Sequence, residues 1–446
     1  MSSSPKRHER KLLSRLSQPF AAILITNFTG TLGYSIVMPF LVFIVHDWGG
    51  NALIYGITAA TFSAFQLVGS PLLGRWSDIW GRRRILVVSQ FGSLLAWLVT
   101  LVGFYVPMLA LVKVESTLLG EFTLTLPLLL LFFARALDGL TGGNDAVANA
   151  YVADITPPAQ RQENFGKLTA SANLGLTLGP ALAGILVGTQ LGYQLPVLVT
   201  AAVCFVATMM IWLNLPDSRP TTDIIDPAPP CALTASTCRH HITRADRPAA
   251  AATLSISQIL AMPRVTLLLS GSFLIYLAFS MFNIALPVHV SQTLHWSAGK
   301  MGAFFALMSI VMVVVQGPVL KKLSGICGTT VLIAMGGLSL GIGFLLLDTH
   351  RDEIVFAAAM LIAIGNGLMW PLIVASLAKR AGDHQGAVQG LAGSSAALAS
   401  IIGLLAGGLL YDSLQGWLFV MSSAITFVVM LMALWAKHGE TIPSDG

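Results

Sequence analysis

Gly74-Arg75-Trp76-Ser77-Asp78-Ile79-Trp80-Gly81-Arg82-Arg83-Arg84 packs five charged side chains into eleven residues. The sequence before it is free of Asp, Glu, Lys and Arg from 48 to 74, and the sequence after it from 85 to 112. A bilayer core about 30 Å thick takes roughly 20 apolar residues per spanning helix. The segment therefore reads as a short polar loop joining two membrane spans. Further charge-free intervals run 16–46, 168–216, 265–299, 301–320, 323–347, 354–378, 384–411 and 413–436. The interval 168–216 contains the turn-rich Gly188-Thr-Gln-Leu-Gly-Tyr-Gln194 and so holds two spans. A twelfth, at about 127–149, is apolar but interrupted by Arg135, Asp138 and Asp145. Of 446 residues, 55% are hydrophobic and 10% charged, against roughly 25% charged in an ordinary soluble domain. That composition excludes a soluble enzyme, a disordered chain and a nucleic-acid-binding domain.

An even number of spans places both termini on one side. Of the 25 Lys and Arg, 21 fall on that side, among them Lys6, Arg7, Arg82–Arg84, Arg264, Lys321, Lys322, Lys379 and Arg380. Three (Lys113, Lys300 and Arg351) lie opposite, and Arg135 lies within the membrane. Cytoplasmic loops carry the excess of cations, so both termini are expected in the cytoplasm of a multi-pass cell-membrane protein (the inner membrane if bacterial). The basic pI near 9.1 then reflects topology rather than affinity for an acidic partner. The apolar run after Arg15 is too long for a signal-peptide core, and no small-residue cleavage site follows it. Four cysteines suggest no disulfide framework. Cys231 and Cys238 with His240 and His241 match no standard zinc spacing, so neither metal nor cofactor is expected. Asn27-Phe28-Thr29 matches a glycosylation sequon but lies inside the first span.

Residues 217–264 form the only long polar interior segment. They divide the chain into a tail (1–18), a six-helix unit (19–216), a linker (217–264), a second six-helix unit (265–437) and a tail (438–446). Pro39 and Trp48 recur as Pro287 and Trp296 at an offset of 248, and Pro71 and Gly81 as Pro318 and Gly328 at 247. These anchors fit a duplicated six-helix bundle, an arrangement that in transporters encloses a site near the bilayer midplane.

Three constellations carry chemistry. In the 74–84 loop, glycines permit a tight turn and the arginines hold the loop at the cytoplasmic surface, where Asp78 can pair with them. In the fourth span, an ionisable group at mid-bilayer is unfavourable by about 2.5–3.5 kcal/mol on insertion scales, so Arg135, Asp138 and Asp145 need partners or a wet cavity. Arg135 and Asp138 are three apart and can pair, either as a self-neutralising structural pair or as part of a working site. Asp145 has no local cation, which favours a protonatable or substrate-facing role. In the fifth span, Gly166, Gly175, Gly179-Pro180 and Gly184 let helices pack closely and offer a bend.

Gly74-x-x-x-Asp78-x-x-Gly81-Arg82-Arg83-Arg84 resembles the loop signature of the major facilitator superfamily. In that family the acid and arginines form a charge relay that helps latch the outward-facing state. Arg135-x-x-Asp138-Gly139 resembles the family's fourth-helix motif, whose arginine is implicated in proton coupling. The fifth-span glycines resemble its antiporter signature, with Ala183 in place of the first glycine of the terminal pair. Ala150-Tyr-Val-Ala-Asp154-Ile-Thr156, followed by Arg161 and Phe165-Gly166, resembles the tetracycline/proton antiporter branch, as do Leu32-Gly33 and Met38-Pro39. That branch carries an intramembrane aspartate nine residues before the proline, where this chain has Gly30. The resemblance covers residues 20–436. It implies an all-α fold of twelve transmembrane helices in two pseudo-symmetric bundles.

Gln66, Asn173, Asn283, Gln316, Asn366 and Trp370 are candidate cavity residues, or hydrogen-bond glue between helices. His289 and His295, near the outer end of the seventh span, could titrate in the physiological range, but an interfacial position is the plainer explanation. The leading expectation is a monomeric proton-coupled antiporter, with protons and a small amphipathic drug or metabolite as partners. A metabolite facilitator or symporter, and a non-transporting sensor of the same fold, are the alternatives. No nucleophile–base pair or phosphate loop suggests an enzyme.

Overall fold

The computed structural model describes residues 5–116, 119–142, 144–156, 160–216, 256–381 and 385–438. Side chains at 5–18, 144–146, 161–162, 256, 263, 298, 378, 381, 385–387 and 436–438 are outside the description. Most of the linker, with Cys231, Cys238, His240 and His241, and the last residues of the C-terminal tail also lie outside it.

The chain begins with α1 (Pro5–Val37), a tight turn at Met38–Phe40 and α2 (Leu41–Asp47). Next come α3 (Ala52–Trp80), α4 (Arg82–Gly103), strands β1 (Ala110–Ser116) and β2 (Gly120–Thr125), and α5 (Leu126–Thr141). Then follow α6 (Asn144–Ile155), α7 (Arg161–Val187), α8 (Gln194–Asn214), α9 (Ile256–Leu260), α10 (Pro263–Gln292) and α11 (Ala298–Val314). A wide turn at Val315–Val319 leads into α12 (Leu320–Ser324), α13 (Thr329–Leu345), α14 (Asp352–Ala381), α15 (Gln385–Leu414) and α16 (Trp417–His438).

Among the described residues, ten stretches are long and apolar enough to cross a membrane, and Thr329–Leu345 is a shorter apolar helix. The remaining expected span, at 127–149, is two helices, α5 and α6, parted at Gly142. Glycine is a poor helix former, and Gly142 marks the break. What reads as an N-terminal tail is helical from Pro5 and continuous with the first span.

The sequence anchors have visible structural work. Gly81 ends α3 and starts α4 with φ +95°, a left-handed conformation open to glycine at little cost. Its counterpart Gly328 also opens a helix, α13, but with an ordinary φ of −67°. Trp48 and Trp296 are both buried. Trp48 meets Phe104 edge-on at 5.0 Å, and Trp296 lies 5.4 Å from Phe356.

One element departs from an all-helical expectation. Residues 110–125 form an antiparallel hairpin between α4 and α5. It is tied to the loop after α2: Thr123 N–H donates to Gly49 O at 2.8 Å, Thr125 Oγ1 to Trp48 O at 2.6 Å, and Asn51 Nδ2 to Leu119 O at 2.9 Å.

α1 packs on α7 and α8, α5 on α3 and α4, and α4 on α8. In the later part of the chain α10 packs on α15 and α16, and α13 on α14 and α16. Two pairs make the most extensive contacts between the early helices and the late ones: α3 with α15, and α7 with α11. Both meet on glycines. A Cβ added at Gly408 would sit 2.8 Å from Ala52 O, and one at Gly184 would sit 2.6 Å from the Gly302 backbone. These contacts lie toward the face opposite the arginine loop. Toward the arginine-loop face, a Cβ at Gly74, Gly166, Gly317, Gly390 or Gly393 would meet nothing within 4 Å. These helices touch through glycines toward the far face, while their glycines toward the basic face have open space beside them.

This asymmetry makes a paired prediction. Gly408→Val should lower stability by about 1–3 kcal/mol through overpacking, whereas Gly390→Ala should be neutral or stabilise by up to about 1 kcal/mol through helix propensity. Thermal unfolding of both variants in detergent checks it.

Candidate functional site

Arg135 and Asp138 lie in α5, with side chains only 2% and 7% exposed. Arg135 Nη1 is 3.2 Å from Asp138 Oδ2. Three aromatic rings surround the guanidinium, each from a different helix: Phe62 of α3 at 4.7 Å, Trp97 of α4 at 5.4 Å and Tyr34 of α1 at 5.6 Å. The quadrupole of each ring attracts a cation over its face, so the cage offsets part of the cost of removing Arg135 from water. It does not satisfy every donor, because Arg135 Nε and Nη2 are buried without hydrogen-bond partners. Buried polar groups left in this way are uncommon.

Small residues build the cage. A Cβ at Gly139 would lie 2.4 Å from Phe62 O, and one at Gly69 would lie 2.3 Å from the Leu140 carbonyl oxygen. α3 and α5 therefore touch backbone to backbone, which brings Phe62 against Arg135. Gln66, one turn further along α3, donates to Gly142 O at 3.4 Å, at the α5–α6 break. The side chain of Asp145 lies outside the described residues.

A second charged cluster sits at the end of α3. Arg82 is 8% exposed. Its Nη1 lies 2.5 Å from Asp78 Oδ1 and donates to Ser77 Oγ at 2.6 Å, and its Nε lies 3.1 Å from Asp154 Oδ2. Arg82 thus ties the ends of α3, α4 and α6 together. Arg83 donates to the Trp212 carbonyl of α8, and Arg84 is exposed. Asp78 is 59% exposed and bonded only within its own group of helices as far as the described contacts show. Asp154 was not among the sequence candidates for this cluster, although it lies in the Ala150–Thr156 segment that carried part of the resemblance.

The fifth-span glycines divide by neighbour. A Cβ at Gly175 would lie 2.2 Å from Thr31 Oγ1, and one at Gly179 would lie 1.8 Å from Ser35 Oγ, so both make room for α1. Ser35 returns a hydrogen bond to Gly175 O at 2.9 Å. Gly184 meets α11 instead, Gly166 is open, and Pro180 lies within the continuous α7. Asn27 of the apparent sequon spends its amide inside the protein, donating to Leu168 O at 2.9 Å.

The remaining candidates are spread out. Trp370 stacks edge-on with Tyr276 at 4.4 Å and lines a cavity of about 140 Å³ with Ser272, Gln389 and Ala396. Asn366 donates to Met312 Sδ at 3.7 Å, and the Asn283 carbonyl accepts from Tyr55 Oη at 3.2 Å. Asn173 and Gln316 are half-buried. None of these supplies the walls around Arg135, which come from Tyr34, Phe62 and Trp97. His295 is exposed, whereas His289, in the last turn of α10, is 4% exposed.

Comparison with known proteins accords with this architecture. The family model of the Major Facilitator Superfamily matches residues 23–326 and 268–445, and the chain belongs to that superfamily of membrane transporters. A class E tetracycline resistance protein of Escherichia coli is 25% identical, over 94% of this chain and 95% of that protein. Multidrug resistance protein 2 of Bacillus subtilis is 23% identical, over 96% of this chain and 98% of that one. The crystal structure of the human organic anion transporter MFSD10 superposes with a TM-score of 0.63 at 19% identity, covering 94% of this chain and 99% of that one.

Removing one partner of the buried pair should be far worse than removing both. Asp138→Ala leaves a buried guanidinium uncompensated and should cost about 3–5 kcal/mol, while the double change Arg135→Met with Asp138→Leu should recover most of that loss. Comparison of unfolding midpoints checks this, and equal losses would show that the pair is not the unit.

Proposed function

We propose that this transporter is a proton-coupled antiporter that exports a small amphipathic drug or metabolite. The observation that carries the reading is the Arg135–Asp138 pair, buried in an aromatic cage with two guanidinium nitrogens unpartnered. A purely structural pair would be expected to satisfy its donors. An unsatisfied one suits a group whose partners change during a cycle. In this reading the units 19–216 and 265–437, joined by the 217–264 linker, rock against each other, and substrate meets Gln66, Asn173, Asn283, Gln316, Asn366 and Trp370 at successive points of its path. Asp145 and Asp138 exchange protons with substrate, and Arg135 biases their ionisation. Asp78, with Arg82–Arg84, Gly74 and Gly81, closes the basic side. Asp78 is exposed, which leaves it available to the opposing helices when that side shuts.

The protein acts as a monomer, with both termini in the cytoplasm and, in a bacterium, the inner membrane as its site. Similarity to curated tetracycline and multidrug resistance proteins along nearly the whole chain supports export of a drug-like molecule. A facilitator or symporter is the second reading, and one observation favours it: Gly175 and Gly179 pack against α1, so part of the exchange-type glycine pattern serves packing.

Asp145→Asn tests the assignment of that acid. In proteoliposomes with an imposed pH gradient, the variant should lose gradient-driven substrate accumulation while keeping the wild-type melting temperature. Unchanged coupled transport would remove Asp145 from the mechanism.

A further inference from the structure

α10 runs unbroken through Pro287, the residue that recurs at the position of Pro39 in the first half of the chain. Proline carries no N–H, so the helix cannot offer the Asn283 carbonyl its usual donor four residues on, and the ring crowds that carbonyl. Inside a bilayer no water is at hand, and a carbonyl freed in this way is satisfied by a neighbouring helix. The neighbour here is α3: the Tyr55 hydroxyl donates to Asn283 O at 3.2 Å, across 228 residues of sequence. Tyr55 is 3% exposed. The contact uses the main chain of Asn283 rather than its amide, so Tyr55 and Pro287 are the residues that specify it.

The bond lies in the seam between the early and the late helices. Gly56, the next residue of α3, packs on α15: an added Cβ would lie 2.6 Å from Leu404 O, and one at Gly408 would lie 2.8 Å from Ala52 O. These contacts set backbone against backbone and bring α3 close without fixing it by a directional bond. Tyr55 adds that bond, and to a third helix. Its two ends belong to the two units that alternating access sets in motion, so it cannot survive their parting, whereas a bond within one unit can.

We propose that Tyr55 and Pro287 form the polar latch of this seam: Pro287 presents the Asn283 carbonyl to α3, and the Tyr55 hydroxyl holds the far side shut by occupying it. When the seam parts, water enters and both groups exchange one hydrogen bond for another. The latch therefore biases the equilibrium by the net worth of a single bond. That weight favours the closed seam yet lets it open in each cycle. Tyr55 is in this sense a positioning residue for transport. The inference rests on the two units moving against each other and not on proton coupling.

Its test needs neither substrate nor pH gradient. With the four native cysteines replaced, Ala59→Cys places a thiol one turn along α3 from Tyr55, at a position 3% exposed, where a charged thiol reagent reacts only when the seam opens. In lipid nanodiscs at low reagent concentration, the reaction rate follows the open population. Tyr55→Phe, which removes the hydroxyl alone, should raise that rate about three- to tenfold, the span of one hydrogen bond between helices. Pro287→Ala, which restores the helical donor to Asn283 O, should raise it too. The double variant should react at about the rate of the faster single one, since both changes break the same latch. A wild-type rate in either single variant, or effects that multiply in the double, overturns the proposal, and either variant suffices should the other fail to fold. Substrate entry without movement of internal pH would strike the antiport reading and leave the latch standing, because no proton gradient enters this assay.

Discussion

A charge inside a bilayer must be paired, caged or wet, and this constraint orders the whole molecule. The chain has few charges, and nearly all of them mark loops. Among the described side chains of the fourth span, Arg135 and Asp138 are held by an ion pair and by rings from α1, α3 and α4. Four helices therefore converge on one guanidinium. The close backbone contact of α3 with α5, through Gly69 and Gly139, is the packing that lets them converge.

Glycine sets where the helices meet and where they part. Gly56 with Gly408 and Gly184 with Gly302 bring the early and late helices into contact near the far face, while the glycines toward the basic face stand open. Without a hydrophobic drive between helices in lipid, such close approach through small residues is a principal source of association. The Arg82 cluster, by contrast, binds α3, α4 and α6 within one group of helices, so that group can move as a unit.

The spans, their number and the loop with its arginines were legible in the sequence because charge is a sharp signal against an apolar background. The spacing of Arg135 and Asp138 offered their pairing, whereas the break at Gly142 was not read, the segment having been taken as one span. The aromatic cage was not: Tyr34, Phe62 and Trp97 are ordinary apolar members of their spans, and only tertiary packing brings them together. The 110–125 hairpin left a faint trace, in the alternation of Val112 and Val114 with polar neighbours and in Gly120, whose φ is +72°. The burial of His289 was not legible, because Tyr411 and Phe419, which cover it, lie more than 120 residues away in sequence.

The central claim is that substrate and protons move in opposite directions through one cycle. Its most direct measurement is the internal pH of proteoliposomes, followed with an entrapped dye as a candidate substrate flows inward down its own gradient, with no pH gradient imposed. Coupled exchange predicts that protons leave as substrate enters, so internal pH rises in proportion to substrate entry, and a protonophore cancels the change. Substrate entry with no movement of internal pH would contradict the account and establish a facilitator.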